Sequence, residues 1–251
     1  MPTIATDALV LLTYKLGETS KVVVLLTRER GKVRAVAKGA RGPRSRYHSA
    51  LEPLSEVRAS LHGRQNAELL RLGQCDLLRS AFAAGGRGLD TALSLSYFAE
   101  LLDAFAQEGE ADDTVYRLAV AVVRAAQDGL DVGVLARYLE ACLLRLHGIY
   151  PPLDRCAACA RRLPAGELRY HRAAHGFVCD DCGPASGPVV PVGARTFLGE
   201  VFGKAPAAMT ASFPPEASGL EAFHQDLIAN HLERELRSRR VLRDVARETR
   251  G

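Results

Sequence analysis

Two cysteine pairs with the same internal spacing constrain this chain more than any other feature. Cys156-Ala157-Ala158-Cys159 and Cys179-Asp180-Asp181-Cys182 are separated by 19 residues. A two-residue spacer lets both thiolates of a pair reach one ion, and two such pairs at this distance read as a tetrahedral structural zinc site. The expected cofactor is therefore zinc, held by Cys156, Cys159, Cys179 and Cys182. His171 and His175 lie between the pairs and are read as exposed or structural, because four thiolates already complete the shell. Tyr170, Phe177 and Val178 suggest a small hairpin between the pairs. A segment of about 30 residues buries too little surface to fold alone, so metal binding is expected to supply its stability. Cys75 and Cys142 are read as buried apolar residues.

The chain has 251 residues, a formal net charge of +4, 47% hydrophobic and 25% charged residues. These values suit one or two folded domains and argue against global disorder. No apolar run approaches the ~20 residues needed to cross a bilayer. The start, Met1-Pro2-Thr3-Ile4-Ala5-Thr6-Asp7, lacks the basic and apolar regions of a secretory signal. The expected location is the cytoplasm, where disulfides are rare. Charge is unevenly spread: residues 1–80 carry 14 Lys and Arg against 7 Asp and Glu, whereas residues 81–150 carry 5 against 10. A basic first third joined to an acidic middle suggests one module that meets a polyanion and another that does not.

Residue patterning places strands first and helices after. Asp7–Lys15, Lys21–Thr27 and Lys32–Lys38 are short and rich in Val and Leu, and Leu54–Leu61 and Glu68–Leu72 are further strand candidates. Five short strands in about 75 residues fit a small closed β-barrel. Beyond residue 80 the chain becomes Ala- and Leu-rich, with helices expected over Asp90–Phe105, Asp112–Gln127, Val134–Leu146 and Val192–Phe202, and one final helix over Gly219–Ala246. The expected fold class is α+β: a small closed β-barrel over 1–80, then an all-helical domain over 81–251 with the zinc module inserted at about 151–188.

No nucleotide-binding or hydrolytic motif is present. Gly31-Lys32 is followed by Val33, Gly203-Lys204 by Ala205, and neither H-E-x-x-H nor G-x-S-x-G occurs. The seven histidines are scattered, and an enzyme is not expected. The strongest binding candidate is the stretch holding Arg28, Arg30, Lys32, Arg34, Lys38, Arg41, Arg44 and Arg46, with Glu29 its only acid. Lys32, Arg34 and Lys38 share strand parity and so one face. Residues 39–47 read as a flexible basic loop. Single-strand-binding barrels combine a positive groove with aromatic platforms; here only Tyr14 and Tyr47 precede Phe82. The expectation is backbone-dominated, sequence-independent binding to single- and double-stranded nucleic acid.

Several stretches together resemble the RecO family of bacterial recombination mediators. They are Gly31–Arg41 with Ser45-Arg46 and Leu51-Glu52-Pro53-Leu54, then Tyr138–His147 running through Gly148-Ile149-Tyr150-Pro151-Pro152-Leu153 to Cys156, and Gly176-Phe177-Val178-Cys179. The resemblance spans nearly the whole chain. It implies an OB-fold, a helical C-terminal domain and a zinc module. It also implies binding and annealing of DNA, and loading of recombinase onto strands coated by single-stranded-DNA-binding protein. The partners it implies are RecR and the C-terminal tail of that coating protein, with no membrane or nucleotide. Two alternatives stand beside it: a zinc-ribbon transcription or RNA-processing factor, and an assembly scaffold whose basic barrel binds an acidic protein.

Overall fold

In the computed structural model, which describes residues 3–64, 67–81, 88–184, 186–209 and 218–248, the chain opens with five strands, interrupted by a 3-10 turn at His48–Leu51. They are β1 (Thr3–Leu16), β2 (Ser20–Thr27), β3 (Gly31–Ala37), β4 (Glu56–His62) and β5 (Leu70–Arg79). They form a closed barrel in the order β1-β2-β3-β5-β4. Closure depends on the length of β1. Its first half pairs with β4, from Thr3 opposite His62 to Leu9 opposite Glu56. Its second half pairs with β2, and a register shift between Val10 and Leu12 lets it turn from one neighbour to the other. Small residues such as Ala8, Ala35, Ala37 and Ala59 let Val23, Leu25 and Leu72 fill the interior.

The other face of the first two strands is covered as well. Leu9, Leu11, Val24 and Leu26 are all buried, which is why these segments read as continuous apolar runs rather than alternating ones. Helix α1 (Leu89–Phe105) packs on β1, and α2 (Asp113–Gln127) follows. The Asp112 side chain caps α2 by accepting from the backbone N–H groups of Thr114 and Val115. The remaining helices are α3 (Val132–Leu146), α4 (Val192–Gly203), α5 (Ser218–Leu232) and α6 (Arg237–Glu248).

The chain divides into two compact units. One holds residues 1–129 and 236–251, the other 130–235. Helices α1, α2 and α6 therefore belong with the barrel. The single final helix expected over Gly219–Ala246 is in fact two. Glu233 adopts a left-handed backbone (φ 53°), and α6 begins only at Arg237, in the other unit. Its first turn is capped from a distance: the Glu100 carboxylate accepts from the N–H groups of Arg237 (3.0 Å) and Ser238 (2.7 Å). The second unit is not purely helical either. Strands β6 (Leu168–His171), β7 (Gly176–Phe177) and β8 (Val189–Val190) form a three-stranded sheet in the order β7-β6-β8. The last of these lies just beyond the expected end of the cysteine module.

The second unit has an aromatic and polar core. Phe223 of α5 stacks against Tyr170 and Phe177 at 5.1 Å from each ring, so the cysteine hairpin shares the helical core. Beside it runs a buried chain of hydrogen bonds. Tyr150 Oη is 2.9 Å from His224 Nε2, and His224 Nδ1 is 2.9 Å from Glu140 Oε2. Glu140 Oε1 accepts from Arg137 at 2.7 Å and from the Gln225 side-chain amide at 3.0 Å. Glu140 and His224 are both fully buried, and mutual satisfaction makes that burial tolerable.

Candidate metal centre and nucleic-acid interface

Cys156, Cys159, Cys179 and Cys182 come together as the spacing predicts. Their sulfur atoms lie within 4.8 Å of one another, and Cys159 Sγ is 3.7 Å from Cys179 Sγ. Four sulfurs at 2.3 Å from a shared ion stand about 3.8 Å apart, so this cluster fits a tetrahedral metal with soft ligands. Local backbone bonds hold the two knuckles: Ala160 N–H donates to Cys156 O, and Cys182 N–H to Cys179 O. A cross-link joins them, since Ala157 N–H donates to Phe177 O. The thiols are primed unequally. Burial opposes ionisation of Cys156, but backbone N–H donors from Cys179, Cys159 and Ala158 outweigh it and bring that thiol down to about 6. Hydrogen bonds among the sulfurs push Cys182 up to about 12. Such a cluster becomes fully thiolate only when a cation offsets its charge. The acids beside it are matched: Asp180 pairs with Arg169 at 3.0 Å, and Asp181 with Arg161. His171 serves its own backbone, with Nδ1 accepting from Ala174 N–H. Cys75 is buried as expected and Cys142 half-buried.

The eight basic residues expected to bind nucleic acid are not one uniform patch. Three face acids of the same unit. Arg28 pairs with Asp113 (2.8 Å), Arg34 with Glu108 (2.7 Å), and Lys32 with Asp103 (3.4 Å). Lys32 also donates to the Asp103 carbonyl at 2.6 Å, and its side chain is only 11% exposed. The backbone reinforces this contact. Lys32 N–H donates to Gln107 O and Gly109 N–H to Lys32 O, both at 3.0 Å, making a short parallel bridge of Lys32 with Glu108. Gly31 has φ 58°, and any Cβ there would strike the Glu110 carbonyl, so glycine is required for the segment to approach. Arg30 lines a cavity of about 510 Å³ between β3, residues 67–70 and residues 108–111.

The other four stand clear of acids. Lys38, Arg41, Arg44 and Arg46 are exposed on the loop after β3, and none has a carboxylate partner among the described residues. Arg41 fastens this loop to the β1–β2 turn: its guanidinium donates to Gly17 O at 2.8 Å and its N–H to Thr19 O at 2.9 Å. Arg46 lies 5.0 Å over the Tyr47 ring. Tyr47 itself is buried and donates to Leu72 O at 3.0 Å, so it is no platform for a base. Tyr14, 52% exposed, is the available aromatic among the described barrel strands.

Sequence reasoning missed four further cations. Lys15 and Lys21 sit directly opposite each other across β1 and β2, Lys21 faces Ala37 beside Lys38, and Arg71 pairs with Val36 and His62. Arg64 lies on the β4–β5 connection. They are scattered along the sequence, and only strand register brings Lys15, Lys21 and Arg71 to one end of the barrel. Like charges directly opposite on a ladder cost stability, so the Lys15–Lys21 pair has no structural benefit of its own.

The sequence matches two domain families, described as Recombination protein O N terminal, over residues 1–81, and Recombination protein O C terminal, over residues 87–240. This chain belongs to the RecO family. The DNA repair protein RecO of Koribacter versatilis (strain Ellin345) is 33% identical over 233 residues, covering 92% of this chain and 94% of that protein. Its counterpart from Anaeromyxobacter sp. (strain Fw109-5) is 34% identical over 245 residues, covering 94% of each chain. That from Anaeromyxobacter sp. (strain K) is 32% identical over 233 residues, covering 91% of each. These RecO relatives are named as DNA repair proteins. No described helix is long and apolar enough to cross a membrane.

Proposed function

We propose that this chain acts in DNA repair and recombination as a mediator without catalytic chemistry. It binds single- and double-stranded DNA through phosphates, anneals complementary strands, and works with RecR to load recombinase onto DNA coated by single-stranded-DNA-binding protein. The barrel is read as an OB-fold on its strand order, and OB-folds bind oligonucleotides along strands 2 and 3 and the adjoining loops. The observation that carries the reading is the loop after β3. Lys38, Arg41, Arg44 and Arg46 are exposed and have no carboxylate partner among the described residues, and they adjoin Lys15, Lys21 and Arg71. A surface with many cations and one exposed aromatic neutralises phosphates while leaving base edges open to pair. Of the other cluster members, Arg30 is placed at the groove edge, Arg28 and Arg34 as paired reserve cations, and Lys32 as a structural lysine.

The metal is proposed to be zinc, on the four-thiol donor set and its spacing. Zinc there closes the hairpin and supplies no reaction step. The contacts with RecR and with the coating protein's C-terminal tail rest on family membership alone. Strand-pairing kinetics on coated single strands test the whole reading. Replacing Lys38, Arg41 and Arg44 with alanine is expected to slow annealing and to flatten the dependence of log affinity on log salt by about 0.7 per lost phosphate contact. An unchanged slope moves the DNA site off this loop. A preference for RNA over DNA of the same sequence favours the RNA-processing alternative.

A further inference from the structure

The acidic segment that follows α1 meets the basic strand β3 in two distinct layers. The inner layer is backbone: the bridge between Lys32 and residues 107–109, the close approach at Gly31, and the covered Lys32–Asp103 pair. The outer layer is two exposed ion pairs. Arg34 and Glu108 are 52% and 53% exposed, and Arg28 and Asp113 are 54% and 47% exposed. Asp113 is shared with Arg117 at 3.6 Å. Exposed pairs of this kind contribute little to stability, whereas the backbone layer does not depend on them.

We propose that Glu108 and Asp113 are intramolecular stand-ins for phosphate: they occupy Arg34 and Arg28 until a densely charged polyanion displaces them, leaving the backbone bridge in place. This deepens the DNA-binding reading and rests on it. Arg34 on β3 and Arg28 on the β2–β3 turn are two latent phosphate contacts beside the surface expected to carry DNA. The carboxylates raise the threshold for using it, because a ligand must exceed the local concentration of two tethered anions. Isolated anions fail this test and a continuous phosphodiester backbone passes it. The segment thus acts as a filter on what the barrel binds, and the filter is strongest at low salt, where the two ion pairs are least screened.

The test uses the full-length chain, a fluorescent oligothymidylate, and anisotropy titrations over a range of salt. Glu108→Gln and Asp113→Asn keep side-chain volume and leave the backbone bridge untouched. Each is expected to steepen the salt slope by about 0.7 and to raise affinity at 0.1 M salt by up to about fivefold. The gain from Glu108→Gln is expected to vanish when Arg34→Ala is added. Glu110→Gln is the control: Glu110 is exposed on the same segment, has no ion pair among the described residues, and alters net charge equally. If Glu110→Gln strengthens binding as much as Glu108→Gln, the effect is general charge and the proposal falls. If the wild-type chain binds and neither Glu108→Gln nor Asp113→Asn changes slope or affinity, it also falls while DNA binding stands. If neither the wild type nor the Glu108→Gln/Asp113→Asn double variant binds at any salt, the DNA-binding reading fails with it.

Discussion

Cys179 reaches the thiol cluster from the start of a single 3-10 turn, and its N–H also donates to Cys156 Sγ at 3.4 Å. One residue thus serves both knuckles. Cys179→Ser is expected to abolish stoichiometric metal binding and lower the folding yield, because binding free energy at such a site is folding free energy. DNA affinity of the folded fraction is expected to stay unchanged, since the cations lie in the other unit. Metal analysis and anisotropy on the same preparation check both halves. His224 gives a second prediction at this scale. Burial lowers its pKa below 6.5 despite the hydrogen bond to Glu140. The unfolded chain therefore binds a proton first on acidification, so stability is full above about 6.5 and declines below it, by at most ~1.4 kcal/mol per pH unit. Urea melts at pH 7.5 and 5.5 are expected to show that slope, and His224→Gln to remove it at a cost of about 1–3 kcal/mol from broken buried bonds. The four cysteines of the cluster were legible residue by residue, because a two-residue spacer is a local constraint. Lys15, Lys21 and Arg71 were not, because their proximity is created by pairing between strands.

Between elements, α2 is fixed to β4 by one ion pair of unequal burial. Arg124 donates to both Glu56 oxygens, at 2.9 and 2.6 Å, with Glu56 5% and Arg124 53% exposed. The asymmetry makes the two deletions unequal. Glu56→Ala lets Arg124 swing into water and is expected to cost about 1 kcal/mol. Arg124→Ala strands a buried carboxylate and is expected to cost about 2–3 kcal/mol. Denaturant titration of the two variants checks the order, and equal losses would contradict it. Most elements were legible in the sequence, since the apolar runs of β1 to β3 are strong, α1 and α2 are rich in Ala and Leu and lack Pro, and α3 has a clear helical period. β5 was expected to end at Leu72 and runs to Arg79, because Gly73-Gln74 interrupts the pattern while pairing with β4 continues beyond it. The break between α5 and α6 was hidden for the opposite reason: the residues on both sides favour helix, and the interruption comes from packing into different units.

At the scale of the whole molecule, the contrast between a basic start and an acidic middle was plain in the sequence, but its meaning was not. The two stretches were read as separate modules, one for the polyanion and one held away from it. In the structure they share a unit, and Asp103, Glu108 and Asp113 face Lys32, Arg34 and Arg28. Composition changes at residue 80 because the chain passes from strand to helix. It does not mark where the barrel's outer covering ends.

That covering includes α6, the last described element, whose neighbour Leu236 is 1% exposed. The unit begun by the first strand is therefore completed by residues made after everything in the second unit. At synthesis rates of about 5–20 residues per second, the barrel and its first two helices wait several seconds or more for their final helix. The intervening unit can complete its own core in that interval. Order of manufacture and order of completion are thus reversed: the half that starts first finishes last, and until it does, the flank of α1 awaiting α6 is the surface most in need of a chaperone.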